Sequence, residues 1–314
     1  MAEERLGVQN RPGRLSIWFR EIRPPFLTAS AVPILLGTCL ACSREDVWNW
    51  GIFLLAMPGG VFLHIGTNVI NDYFDHKSGT DDVNFEFVRP YGGGSRMIQL
   101  RLMSPREVLL ESIVAFAAAI VVGAALLFIV GVPVLYFGLV GILSGVFYTI
   151  WLVRVGMGEV FVGLNFGVLM TVGAYYVQTG TIFSAEVIVA SIPIALLIAL
   201  VLFINQFQNY EADKATEKRH LVVRLGRARS ARLFVIMLVA TYLSLAVGVA
   251  AFGVSAFTLL ALLTIPLAWK AARTCRRFYD DYLRLTPANQ SAIMVHMLAG
   301  ILMTIGYAVQ RAVA

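Results

Sequence analysis

Residues 68–82 read Asn-Val-Ile-Asn-Asp-Tyr-Phe-Asp-His-Lys-Ser-Gly-Thr-Asp-Asp and directly follow a long apolar run. The stretch therefore lies at or just inside a membrane face, where ionisable side chains are costly and mark a functional site by default. A second polar stretch, residues 205–219, ends another apolar run and reads Asn-Gln-Phe-Gln-Asn-Tyr-Glu-Ala-Asp-Lys-Ala-Thr-Glu-Lys-Arg. We expect the rest of the chain to bring these two stretches together.

The composition is that of a polytopic membrane protein. The chain has 314 residues, 58% hydrophobic and 14% charged, with a mean hydropathy of +0.76, whereas soluble domains carry about 25% charged residues. Residues 1–24 hold five arginines and no apolar core, so no cleaved signal peptide is predicted. The three cysteines, odd in number and without ligand spacing, predict neither a disulfide framework nor a metal site.

Apolar runs of about 20 residues are long enough to cross a bilayer core, and the sequence contains nine of them. They predict an all-α fold, one bundle of nine transmembrane helices, with no composition break to mark a second domain within residues 1–314. The runs cover residues 25–43, 47–70, 107–129, 132–152, 157–177, 184–206, 231–252, 254–271 and 290–310.

The basic residues predict the orientation of the bundle. With the nine runs in place, 23 of the 25 lysines and arginines fall on one side, and only Arg44 and Arg311 fall on the other. The positive-inside rule then places the N-terminus in the cytoplasm and the C-terminus outside. The cytoplasmic side would carry the N-terminal segment 1–24 and two long loops, at about 71–106 and 207–230.

Both polar stretches place side chains four residues apart, and such residues share a helix face. Each stretch is therefore predicted to project oxygen or nitrogen ligands from the cytoplasmic end of its span. The first set is Asn68, Asp72, Asp75 and His76, and the second is Asn205, Asn209 and Asp213.

Clustered carboxylates repel one another, so a cation is expected between them. Oxygen ligands suit Mg²⁺, which takes one or two carboxylates and completes its shell with water and phosphate. Basic side chains nearby can neutralise phosphate oxygens, and the loop 92–96, Gly-Gly-Gly-Ser-Arg, offers backbone N–H groups to an anion. These basic residues are Lys77, Arg96, Lys214, Lys218 and Arg219. A diphosphate held by Mg²⁺ below an apolar bundle indicates a polyprenyl diphosphate as ligand.

Simpler interpretations exist for single residues. A lone lysine or arginine at a membrane face is usually a solvated loop residue, and a triple glycine is often only a flexible turn. His64 and His296, each alone within an apolar run, are expected to be hydrogen-bonded packing residues. The aspartates are less easily explained in this way, because they extend two predicted helices and occur in both stretches.

The motif Asn71-Asp72-x-x-Asp75 with Asp81, together with the second acidic motif, resembles the UbiA-type intramembrane prenyltransferases. The resemblance runs from about Trp18 to Gly306. Four further segments are most similar to the 1,4-dihydroxy-2-naphthoate prenyltransferase branch of menaquinone biosynthesis. They are Trp18-x4-Arg23-Pro24, Gly156-x-Gly158-Glu159, Tyr175-Tyr-Val-Gln-Thr-Gly180 and Lys218-Arg219-x-Leu-Val-Val-Arg224-Leu-Gly226.

The resemblance implies a nine-helix bundle in the cell membrane that uses Mg²⁺ to transfer a polyprenyl group from its diphosphate to an aromatic acceptor. In that branch the acceptor is 1,4-dihydroxy-2-naphthoate and the product is of the demethylmenaquinone type. The implied catalytic residues are Asp72, Asp75 and Asp213, which bind the metal together with Asn209. The implied diphosphate ligands are Asn68, Lys77, Arg96, Asn205, Lys214, Lys218 and Arg219. The acceptor or prenyl pocket is expected to include Arg23, Asn71, Tyr148, Asn165 and Tyr175.

Asn209 is a departure, because the second motif of the branch usually has Asp at this position. The amide keeps a neutral oxygen ligand but removes one negative charge, so we expect one metal site to be weakened. Glu211 and Glu217 are nearby acids, although Glu211 is not on the same predicted helix face.

Other functions remain open at this point. The acceptor can be 4-hydroxybenzoate, homogentisate, a tetrapyrrole or a glycerophosphate lipid. A secondary transporter is a candidate from a different class, but transporters place their ionisable residues near the bilayer midplane, whereas these clusters end their spans. A non-catalytic lipid- or quinone-binding relative is the third possibility, raised by Asn209.

Overall fold

The computed structural model describes residues 12–147, 151–216 and 218–313, and within these ranges the regular structure is helical, with one isolated bridge between Val88 and Gly92. Long apolar sequences form helices in a bilayer because the helix satisfies every backbone hydrogen bond within one segment. The all-α prediction is thereby confirmed for the described residues.

Twelve helical elements are numbered here in chain order. The first five are α1 (Arg14–Glu21), α2 (Thr28–Glu45), α3 (Trp50–Lys77), α4 (Pro105–Val130) and α5 (Pro133–Phe147). The next four are α6 (Gly158–Thr179), α7 (Ala185–Asn205), α8 (Tyr210–Ala215) and α9 (Leu221–Leu225). The last three are α10 (Arg227–Ala251), α11 (Ala256–Phe278) and α12 (Thr286–Val313).

Each of the nine predicted apolar runs falls on one of these helices. Eight helices among the described residues are long and apolar enough to cross a membrane, and α5 is a shorter apolar helix of 15 residues. Residues 148–150 come directly after α5 in the sequence and lie outside the described residues. They include Tyr148 of the predicted pocket. The count of nine and the orientation of the termini stay predictions.

Capping side chains set where several helices begin. Asn49 accepts a hydrogen bond from the backbone of Ile52 at the start of α3, and Ser184 caps α7 in the same way. Ser104 and Glu107 form a reciprocal capping box at the start of α4. These caps satisfy backbone N–H groups that have no partner within the helix.

Helix α7 is the centre of the bundle and α4 is at its outside. Of the 18 consecutive residues that are most apolar in each helix, 72% are buried inside the protein in α7, against 11% in α4. Ile194 and Leu200 of α7 are almost fully buried, whereas Phe128 of α4 is 88% exposed. An apolar surface of this kind is expected to contact lipid, so α4 forms an outer wall.

The second polar stretch is not one continuous helix, so the prediction that Asn205, Asn209 and Asp213 share the face of a single helix is wrong, although all three line the same cavity. Helix α7 ends at Asn205, residues 206–209 form a turn, and α8 starts at Tyr210. Tertiary contacts stabilise the turn: the backbone O of Phe207 accepts from Arg227 Nε (3.3 Å). By contrast, α3 runs unbroken through Asp75 to Lys77, as predicted for the first stretch.

Candidate active site

A cavity of about 500 Å³ extends through the bundle from the ends of α3 and α7. Asp75 and Ala56, both on α3, lie in its wall, so it runs roughly 28 Å along that helix at about 1.5 Å per residue. Most of the lining is aliphatic or aromatic, with polar groups concentrated near Asp75. The cavity therefore joins a polar mouth to a long apolar chamber.

One face of α3 contributes Asn68, Asn71 and Asp75 of the first polar stretch to the cavity wall. Asp75 lines the cavity, and its Oδ2 accepts a hydrogen bond from Asn71 Nδ2 at 3.2 Å, one helical turn away. Asn68 also lines the cavity, and its Oδ1 accepts from Arg23 Nη2 at 3.4 Å. These contacts orient Asp75, Asn71 and Arg23 around the mouth of the cavity.

Asp72 points towards the glycine-rich loop. Its Oδ2 accepts from the backbone N–H of Ser95 at 2.7 Å, while its Oδ1 is buried, accepts no hydrogen bond from the described residues and lies 3.5 Å from Arg23 Nη2. Gly94 has φ of +70°, and a Cβ there would lie 2.8 Å from Asp72 Oδ1, so the position requires glycine. The predicted anion-binding amide of Ser95 is thus already bound to a carboxylate.

Glu21, at the end of α1, is connected to the same loop. It is fully buried, and its Oε2 accepts a hydrogen bond from Ser95 Oγ. Ser95 therefore links Glu21 with Asp72. Glu21 was not predicted as a site residue, because it lies in the segment 1–24, which the sequence marks only by its five arginines.

Asp213, from α8, is held by a buried histidine. His220 Nε2 lies 2.9 Å from Asp213 Oδ2, and its Nδ1 accepts from the backbone N–H of Val223 at 3.4 Å. Because Nδ1 is an acceptor, the hydrogen-bond network assigns the proton to Nε2, which donates to Asp213. His220 was likewise not predicted as a site residue.

Lys218 joins the two motifs. Its ammonium group pairs with Asp75 Oδ1 and lies 3.7 Å from Asp213 Oδ1, and its side chain is only 12% exposed. The two distant polar stretches thus meet at one buried cation. Glu159, at the start of α6, supports this segment by accepting from the backbone N–H of Leu221 at 3.0 Å.

The asparagines of the second stretch are paired with other amides. Asn209 Oδ1 accepts from Asn84 Nδ2 at 3.1 Å, and Asn205 Oδ1 accepts from Asn289 Nδ2 at 2.8 Å. Both Asn205 and Asn209 line the cavity. Their oxygens connect the turn after α7 to the loop before α4 and to α12.

Several predicted site residues lie elsewhere. Lys77, Lys214 and Arg219 are exposed at the protein surface. Arg96 donates to the backbone O of Asp81 (2.5 Å) and stacks 4.2 Å from the ring of Phe87, so it fixes the loop. Tyr175 is at the far end of the bundle, where its hydroxyl donates to Glu45 Oε1 at 2.9 Å. Asn165 does line the cavity, within a π-helical segment of α6.

Burial and neighbouring charges shift the pKa values of three groups around this site. Burial, reinforced by Asp72, raises the pKa of Glu21 to about 9. Burial, reinforced by Asp75, raises the pKa of Asp81 to about 8. Burial alone would lower the pKa of Lys218, but Asp75 and Asp213 outweigh it and raise that pKa above its ordinary value. Lys218 is therefore charged at neutral pH.

The carboxylates at the cavity mouth fit a metal ion whose other ligands come from phosphate and water, and not a metal site built from protein side chains alone. Among the described residues, no three His, Cys, Asp or Glu side chains form a metal-binding group. Asp75 and Asp213 nevertheless both reach one buried cation, the ammonium of Lys218. Mg²⁺ needs only one or two carboxylates when waters and a diphosphate supply its other ligands.

Comparison with known proteins bears on this arrangement. Residues 30–305 match the UbiA prenyltransferase family. A 2-carboxy-1,4-naphthoquinone phytyltransferase from Synechocystis is 25% identical over 96% of both chains. A 1,4-dihydroxy-2-naphthoate octaprenyltransferase from Mycobacterium leprae is 30% identical over 82% of this chain and 85% of its own.

Solved structures share the fold at lower identity. A UbiA homolog from Aeropyrum pernix K1 superposes with a TM-score of 0.65 at 16% identity, covering 90% of this chain and 97% of that one. A UbiA homolog from Archaeoglobus fulgidus, bound to DMAPP and Mg²⁺, gives a TM-score of 0.58 at 16% identity, covering 92% and 99%.

Proposed function

Because the chain belongs to the UbiA prenyltransferase family, a family of multi-pass membrane enzymes, we propose that it transfers a polyprenyl group to 1,4-dihydroxy-2-naphthoate. The observation that carries the proposal is the meeting of Asp75, Asp213 and Lys218 at the mouth of a long apolar cavity. The naphthoate substrates in the names of several relatives support the choice of acceptor.

The polar mouth is suited to hold the diphosphate. Asp75 and Asp213 would bind Mg²⁺, which neutralises charge on the departing diphosphate oxygens. Lys218 and Arg23 both line the cavity and offer N–H donors to phosphate oxygens. Asn68 Nδ2 is buried, has no hydrogen-bond partner in the part of the chain that the structure describes, and is a further donor at this position.

The apolar chamber is suited to the hydrocarbon and to the reactive carbon. The C–O bond of the allylic diphosphate breaks and diphosphate leaves with the electron pair, so the carbon must be shielded from water. Leu63, Phe137 and Val177 are among the side chains that exclude water there. The ring carbon that bears the carboxylate then forms the C–C bond, and loss of CO₂ returns the bonding electrons to the ring.

Asp72, Glu21 and Ser95 are proposed to position the site from behind. Ser95 fixes Asp72 through its backbone N–H and Glu21 through its hydroxyl. Asp72 Oδ1 makes no hydrogen bond among the described residues and lies 3.5 Å from Arg23 Nη2, so it is the Asp72 oxygen that would be available to a metal or a water. We place the protein in the cell membrane, with this mouth at the cytoplasmic face.

The test is product identification. Membranes containing the protein are incubated with Mg²⁺, an all-trans polyprenyl diphosphate and a panel of acceptors: dihydroxynaphthoate, 4-hydroxybenzoate, homogentisate and a glycerophosphate lipid. We expect a prenylated, decarboxylated naphthalene product, identified by its mass, that disappears when EDTA is added. Product from another acceptor alone would refute the naphthoate assignment, and no product from any acceptor would refute transferase activity.

A further inference from the structure

Lys218 neutralises the carboxylates that are proposed to hold the metal. Its buried ammonium group pairs with Asp75 and lies 3.7 Å from Asp213, so it lies between the two motifs. A divalent cation that binds both carboxylates must take over these contacts. Lys218 and the metal therefore compete for the same oxygen atoms.

The surroundings of Lys218 discourage it from leaving these carboxylates. Asn209, in the adjacent turn, is an amide whose oxygen already accepts from Asn84. After Asp75 and Asp213, Asp81 is the acid that interacts most strongly with the Lys218 charge. Asp81 already accepts hydrogen bonds from Arg96 at its backbone O and from Gln99 Nε2 at its carboxylate, the latter at 3.4 Å. Separating a buried ammonium from its partners leaves an uncompensated charge, which is strongly unfavourable.

A diphosphate would remove this penalty. It brings several anionic oxygens into the cavity mouth, which Lys218 lines, and an ammonium group binds phosphate well as a point charge. Lys218 can then exchange its carboxylate partners for phosphate oxygens without losing charge compensation. The carboxylates become free for the metal in the same event.

We propose that Lys218 makes metal binding conditional on diphosphate: it occupies Asp75 and Asp213 until a diphosphate offers it another anionic partner. This inference rests on the proposed function. By linkage, each ligand must then strengthen the binding of the other by the same factor. The consequence is an enzyme that loads the metal and the prenyl diphosphate together and holds the metal alone only weakly.

The experiment measures metal binding and not turnover. The detergent-solubilised full-length protein is dialysed to equilibrium against radioactive Mn²⁺ at a series of free concentrations, with and without inorganic pyrophosphate. The variants are Lys218→Met, which keeps the aliphatic stem, and Lys270→Met, which removes an exposed lysine of α11 as a matched control.

For the wild type and Lys270→Met we expect pyrophosphate to tighten Mn²⁺ binding about tenfold or more, within the usual range for coupled ligands. Lys218→Met should bind Mn²⁺ alone about tenfold more tightly than the wild type and should lose most of the pyrophosphate effect. Unchanged or weaker binding of Mn²⁺ alone by Lys218→Met would overturn the inference.

Two further results keep the outcomes distinct. If Lys218→Met does not fold, Lys218→Gln replaces it, because its amide can still donate to Asp75 while the charge is gone, and the same gain in Mn²⁺ affinity is expected. A wild-type protein that binds no Mn²⁺ even with pyrophosphate would refute the proposed metal-dependent function itself, whereas wild-type coupling without any change in the lysine variants would refute only the role of Lys218.

Discussion

The two polar motifs hold their side chains in different ways. The first lies on the unbroken helix α3, where Asp72 is fixed by the glycine-rich loop through Ser95 and Asp75 is fixed by Asn71 of the same helix. The second is divided by the turn 206–209, and among its described residues Asp213 is the one that contributes a carboxylate to the cavity. Among the described residues, each motif therefore places one carboxylate at the cavity, and the second also supplies Lys218, which joins the two.

This difference assigns separate tasks to the two halves of the site. In the second motif, hydrogen bonds from Asn84 and Asn289 to Asn209 and Asn205 fix the turn, and His220 orients Asp213. Lys218 then brings the single aspartate of this half opposite Asp75. We infer that the second half acts mainly by positioning one carboxylate and one lysine accurately.

The largest effect is expected where the two halves meet. Asp75→Asn and Asp213→Asn should each lower prenyl transfer about 100-fold or more, because each removes a carboxylate that would hold the metal whose charge stabilises the departing diphosphate. Transfer is measured with a radiolabelled prenyl diphosphate, and Asp280→Asn at the exposed surface is the control. Near wild-type transfer by both cavity variants would contradict the proposed metal site.

A smaller effect is expected at His220, which is specific to the second half. His220→Ala should raise the Mg²⁺ concentration for half-maximal activity about tenfold, in the range found for residues that orient metal ligands. His220→Gln retains a donor for Asp213 and should recover part of the loss. A Mg²⁺ requirement that is the same in both variants as in the wild type would show that His220 only stabilises the fold.

Asn209→Asp would make the halves more alike. The new carboxylate can still accept from Asn84, and its added charge should lower the half-maximal Mg²⁺ concentration several-fold. Asn205→Asp is the comparison. Asn205 lies deeper in the bundle, where a charged side chain is costly, so this variant should instead reduce the yield of folded protein. A higher Mg²⁺ requirement in Asn209→Asp would contradict a metal site at this position.

The smallest effect concerns stability and the first half alone. The pKa of Glu21 is raised from 4.5 to about 9 in the folded protein. Its stabilising contribution is therefore fully present below pH 4.5 and is lost as the pH rises through about 9. The midpoint temperature of thermal unfolding in detergent should therefore fall as the pH rises in this range. In Glu21→Gln it should fall less steeply. Equal slopes for both proteins would contradict the burial of an ionisable Glu21.

Sequence reasoning identified the helices and the cavity-facing acids for a clear physical reason. Apolar runs as long as α3 and α7 have few alternatives in a membrane, and residues such as Asp75 extend a helix that the apolar pattern already defines. Family membership likewise followed from short motifs whose spacing is read directly from the chain, and the match over residues 30–305 confirms it.

The parts that sequence reasoning missed depend on tertiary contacts. The turn 206–209 contains no glycine or proline, and it is stabilised by groups far along the chain, such as Arg227. Glu21 and His220 become site residues only because Ser95 and Asp213 lie next to them in space. Tyr175 is the opposite case. The sequence predicted it in the pocket, but it lies at the end of the bundle far from the aspartates, where it contacts Glu45.

The most direct test of the central claim is the position of the metal in a crystal or cryo-EM structure. The protein is prepared with Mn²⁺ and a non-reactive thio analogue of a prenyl diphosphate, and Mn²⁺ is located by anomalous scattering or density. We predict a metal in contact with oxygens of both Asp75 and Asp213, with Lys218 moved onto the diphosphate. A metal bound away from either aspartate, with Lys218 still between them, would contradict the account.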